Sequence, residues 1–159
     1  MNNRAGRIQN DTKMVLLVHK SDTDKQKLVN YFRRALTSKA SGSLKVEDVN
    51  VANGNDNVKD SSWLDEVNNI VLLCLTSETI PSLEQIIREK RYVQDGRLNR
   101  KVFSVSFGAN LNAQWPPGGI QNENNRDFAF NFENVENLTP TDFKTSDRMT
   151  VLIAAMRGA

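Results

Sequence analysis

The chain of 159 residues is one domain's worth, long enough to bury most of the surface it exposes when unfolded, and carries 21 Lys and Arg against 19 Asp and Glu. A net charge of +2 supplies no general attraction to nucleic acid or an anionic membrane, so the expected partner is a protein or a small molecule. One Cys and one His cannot make a disulfide framework or a zinc site of the usual ligand number, and a lone thiol suits a reducing compartment, so a cytoplasmic location is expected.

The polar start, residues 1–12, lacks the apolar run of a secretory signal and is expected to be a flexible tail before a single domain over 13–159. Met14 to His19 is an apolar run of strand length. Residues 22–38 then place Leu28, Val29, Phe32 and Leu36 on one helical face, with Ser21 or Asp22 as N-cap and Asp24 in the first turn. Leu44 to Val51 predicts a second strand after the break at "SGS". "ANGNDNVKDSS", residues 52–62, is an exposed, turn-rich loop whose Ser61 or Ser62 caps a short helix carrying Trp63, Leu64 and Val67.

Ile70 to Leu75 is the most apolar strand and should be central. Pro81 fits the first turn of a third helix with Leu83, Ile86, Ile87 and Tyr92 inward, closed by "QDGR". Val102 to Phe107 makes a fourth strand, and the alternation of Phe128, Phe130 and Phe132 predicts a fifth at an edge. Ser146 or Asp147 opens a last helix carrying Met149, Leu152, Ile153 and Met156 and ending at Gly158. Strands alternating with helices imply an α/β three-layer sandwich of flavodoxin-like type, with a mostly parallel five-stranded sheet in the order 2-1-3-4-5. Its functional loops, 19–24, 52–62, 76–82 and 108–126, would share the rim at the strand ends.

Several chemistries fail on the residues. "HKSDTDK" lacks the glycines of a phosphate-binding loop, and its aspartates would repel a phosphate. His19 and Thr76-Ser77 stand where a phosphoaspartate receiver would need acids. His19 has no nucleophile beside it and reads as a strand-end residue; Cys74, between Leu73 and Leu75, reads as core. Arg33 and Arg34, with Arg88, Lys90 and Arg91, form basic helix surface whose default is solvation. Trp115, on the stiff "WPPGG" segment, is expected to be partly buried with one edge of its ring open to a partner.

The pieces "VLLVHKSDTDKQKLVNYFRRAL", "SSWLDEVNNIVLLCLTSET" and "RKVFSVSFGANLNAQWPP" resemble the first box, the second-helix and third-strand segment, and the fourth strand and following loop of Toll/interleukin-1 receptor (TIR) domains and their SEFIR relatives. The resemblance spans roughly residues 13–158. It implies a cytosolic signalling adaptor or receptor-tail module that self-associates or pairs with like domains through helix surfaces and the loop between second strand and second helix. Here those would be Arg33 and Arg34 together with Asn53, Gly54, Asn55, Asp56, Asn57 and Val58, although this loop lacks the family's Arg-Asp-x-x-Pro-Gly type of sequence. Some TIR domains hydrolyse NAD with a Glu on the third helix. Glu84 and Glu89 of "IPSLEQIIREK" fall in that neighbourhood without the accompanying Trp-Cys pair, so NAD enters as a substrate only under this alternative, and no other cofactor or metal is expected.

Overall fold

The computed structural model describes residues 12–108, 111, 114–121, 131–132 and 138–159. Four parallel strands form the sheet: β1 (Lys13–His19), β2 (Leu44–Asn50), β3 (Asn69–Leu75) and β6 (Val102–Phe107), in the spatial order β2-β1-β3-β6. Helices flank it: α1 (Gln26–Lys39), α2 (Ser61–Asp65), α3 (Ile80–Glu89), α4 (Pro140–Thr145) and α5 (Asp147–Arg157). The protein is therefore α/β, with β3 central as its unbroken apolar run predicts. Two residues, Asn131–Phe132 (β7), pair in parallel with the outer side of β6. Of the three phenylalanines of the expected fifth strand only Phe132 falls in this pair; Phe128 and Phe130 lie outside the described residues, as do residues 1–11 of the expected tail.

Side-chain alternation divides the core between the two faces of the sheet. On one face Val15, Leu17, Ile70, Leu72, Val105 and Phe107 meet Phe32 and Leu36 of α1, Phe143 of α4 and Leu152 of α5. Four phenylalanines interlock there: Phe32 lies 5.4 Å edge-on from Phe107, and Phe132 5.0 Å edge-on from Phe143. On the other face Leu16, Val18, Val71, Leu73 and Leu75 meet Leu64, Leu83, Ile86, Ile87 and Tyr92. Among the described residues no helix is long and apolar enough to cross a membrane.

Local chemistry moves several element ends from their expected places. α1 begins at Gln26, with no side-chain cap, rather than at Asp22. Ser21 does not cap it, because its N–H donates to Asn50 Oδ1 at 3.1 Å and its hydroxyl accepts from Asn50 Nδ2 at 2.7 Å, tying the first turn to the end of β2. α2 is capped by Asp60, which accepts from Ser62 N–H at 2.9 Å; a carboxylate is the stronger acceptor beside the two expected serines. Those bonds hold the Asp60 carboxyl below the usual range. The helix stops at Asp65, leaving Val67 77% exposed rather than inward.

Two elements went unexpected. "VQDGRL" is a hairpin, β4 (Val93–Gln94) and β5 (Arg97–Leu98), turning through Asp95 at φ 54° and Gly96 at φ 73°. Positive φ at both central residues is what a type I′ turn requires, and Asp-Gly is a favoured pair for it. α4 opens with a reciprocal cap between Thr139 and Asp142, with proline in its first turn.

Because Phe32 touches three other rings in the closed face of the sheet, Phe32→Ala should cost about 3–5 kcal/mol, read as a fall in the urea unfolding midpoint, and Phe32→Leu clearly less.

Candidate interaction surface

The loop from Ala52 to Asp60 leaves the sheet where Val51 N–H donates to His19 C=O at 2.8 Å. It does not stay at the rim with the other strand-end loops, as expected. By Ser61 it has reached the far end of α3, donating its N–H to Lys90 C=O at 2.8 Å, and α3 with its ten residues spans about 15 Å. The descent is forced: α2 is only five residues long, so the loop itself supplies most of the crossover from the end of β2 to the start of β3.

Four contacts fasten this segment. Val58 is buried in the core with Leu64 and Tyr92, which corrects its place among the expected partner-facing residues: it is an anchor. The Tyr92 hydroxyl donates to Lys59 C=O, and burial pushes this phenol's pKa up. Lys59 Nζ stands 5.9 Å from the ring centre of Trp63. Asn55 Nδ2 donates at 3.3 Å to Glu89, which also accepts from Gln85 at 2.7 Å. Asn53, Gly54, Asp56 and Asn57 remain exposed as a tip, and Gly54 holds φ 131°, a backbone region that favours glycine.

Arg33 and Arg34 separate in role. The Arg33 guanidinium pairs with the Asp48 carboxylate of β2 and donates to Asn30 Oδ1 at 2.6 Å, so it is committed within the chain. Arg34 is exposed. His19 is buried at the end of β1, its Nε2 2.8 Å from Asp48 Oδ1 without the alignment of a hydrogen bond. The contact is a close approach only, and Asp48 lies between His19 and Arg33. Arg33, Arg34, Thr37 and Ser38 of α1 with Val46 and Asp48 of β2 line an open groove of ≈ 380 Å³.

The remaining expected residues lie apart from these. Glu84 faces Arg88 at 3.8 Å, one turn along α3, with its side chain 44% exposed. The amide donors of Gln85 and Asn55 hold the Glu89 carboxyl below its ordinary range, the opposite of the shift a general acid needs. Cys74 is buried and desolvation pushes its thiol up, as its apolar neighbours imply. Trp115 is 4% exposed and packs in the α3-side core, so no edge of its ring is open: the apolar cover available from Leu16 to Leu98 on that face takes the whole indole. Among the described residues no cluster of three His, Cys, Asp or Glu side chains is placed to hold a metal ion.

Comparison of the chain with family models, with curated proteins and with solved structures finds no match in any of the three. Asn30, Asp48, Lys59 and Tyr92, which position the surface, were not singled out as site residues. The only sequence signal among them is the Asn30–Arg33 spacing of neighbours on a helix.

Tyr92→Phe removes one hydrogen bond and should cost about 0.5–1.5 kcal/mol in urea unfolding, with faster amide exchange over residues 52–60. Glu89 adds a pH dependence. Its folded pKa is depressed, so its support of the loop is present above the ordinary carboxylate range and lost as pH falls through the folded value. Exchange around Asn55 should accelerate on that acidification, and Glu89→Gln should remove the step.

Proposed function

We infer that the chain is a TIR/SEFIR-like signalling module, an adaptor or receptor tail of the cytoplasm, acting through homotypic contact with a second like domain. Under this reading the sheet completes as a flavodoxin-like five-stranded one in the order 2-1-3-4-5. The observation that carries it is the loop after β2: Val58, Lys59 and Asn55 fix its base while Asn53, Gly54, Asp56 and Asn57 stand in solvent. A polar tip already held in one conformation loses little entropy when a partner covers it, and such preorganisation favours recognition. Arg34 adds an exposed positive charge beside β2 on the opposite, α1 face of the sheet. No observation favours the NAD glycohydrolase alternative, since Glu84 faces Arg88 and Glu89 is bonded to the loop.

Sedimentation of the chain over a range of concentrations tests the reading. The parent should gain mass with concentration. Arg34→Glu and Asp56→Lys, each made alone, should weaken association by about tenfold with an unchanged circular dichroism spectrum, because exposed charges steer pairing at little cost in stability. A parent whose mass stays that of the monomer at every concentration would overturn it.

A further inference from the structure

β2 ends the described sheet, with β1 on one side and no described strand on the other. Its ladder with β1 fixes which backbone groups face out. Lys13 N–H donates to Ser43 C=O at 3.2 Å and Val51 N–H to His19 C=O at 2.8 Å, so Lys45, Glu47 and Val49 turn their N–H and C=O toward β1. Val46 and Asp48 turn theirs away. Leu44 also faces out, with its N–H already taken by Ala40 C=O at 2.9 Å and its carbonyl directed to the edge. Lys45 and Glu47 are exposed on the same face of the strand, two residues apart, and Val46 between them lines the open groove beside Arg34 on the other face.

We propose that this edge is a self-pairing surface, with the β2 strands of two copies running antiparallel about a two-fold axis through Val46. The inference rests on the self-association reading above and names its contact. At this centre Val46 of each copy exchanges both backbone bonds with Val46 of the other, and Asp48 N–H of each reaches Leu44 C=O of the other, as an antiparallel ladder demands of outward-facing residues. Residues directly opposite share a face, so Lys45 of one copy meets Glu47 of the second, and Glu47 meets Lys45. The two half-buried Val46 side chains cover each other. An axis at Lys45, Glu47 or Asp48 fails on charge, since each sets like charges face to face, and one at Leu44 fails because its N–H is already bonded to Ala40 C=O. Charged residues on an edge ordinarily deter pairing with strands of unrelated sequence. The order Lys-Val-Glu keeps that deterrent while matching a second copy of itself.

A charge exchange tests this on the full chain. Lys45→Glu sets two carboxylates opposite each other across the axis, and Glu47→Lys sets two ammonium groups there. Each variant alone should therefore dimerise at least about tenfold more weakly than the parent in sedimentation equilibrium. An equimolar mixture of the two restores opposite charges at both positions and should dimerise like the parent. Val46→Pro removes an outward N–H that the β1 ladder does not use, and should abolish the dimer with the monomer's circular dichroism retained. If the parent self-associates while Lys45→Glu and Glu47→Lys do so equally well, or their mixture is no tighter than either alone, the edge is wrong and the self-association reading stands. A parent that remains monomeric removes both.

Discussion

β3 constrains everything around it. From Ile70 to Leu75 no residue is more than 1% exposed, so the strand must be paired on both edges and covered on both faces. β1 and β6 supply the edges. The chain then has to cross from strand to strand over the faces, and the apolar stripes of α1 and α5 on one side and α3 on the other close them. Once those demands are met, what is left over is peripheral: the outer side of β2 and the loops at the strand ends.

The polar groups near those loops are spent on holding geometry. Thr76 and Thr79 close the turn after β3 with bonds among their own hydroxyls and backbone, Thr79 Oγ1 accepting from Thr76 N–H at 2.7 Å. Ser21 and Asn50 do the same between β1 and β2, and Asp48 gathers Arg33 and His19. The Thr76–Thr79 and Ser21–Asn50 bonds tie neighbouring turns of the rim together, whereas His19 Nε2 is buried without a hydrogen bond.

Much of the scaffold was legible because burial and pattern coincide. The strands over 13–19, 69–75 and 102–107 are apolar runs whose length matches a strand, and Leu28, Val29, Phe32 and Leu36 fall on the face of α1 that is buried. What was not legible depends on contacts distant in sequence. Ser21 and Asp22 have the chemistry of caps, yet Asn50, 29 residues on from Ser21, takes that serine away. Arg33 and Arg34 are alike as sequence, and only the position of Asp48 across the α1–β2 connection separates the bound one from the exposed one. Val58 sits within a polar run that gives no sign of its burial. The hairpin at Asp95-Gly96 and the Thr139–Asp142 cap did carry local signals, in a turn pair and a capping spacing, but each belongs to an element too short for periodicity to reveal.

The β2–α2 loop is anchored at Val58 and Lys59, at Asn55 through Glu89, and at its entry by Val51, so the exposed residues between these points take no part in the sheet's packing. Exposed tips of this kind tolerate inserted sequence. The exposed positions Asp56 and Asn57, between the Asn55 and Val58 anchors, are therefore where the chain can be lengthened or rewritten while the crossover from β2 to β3 keeps its path. Changes confined to those positions leave both faces of the core untouched.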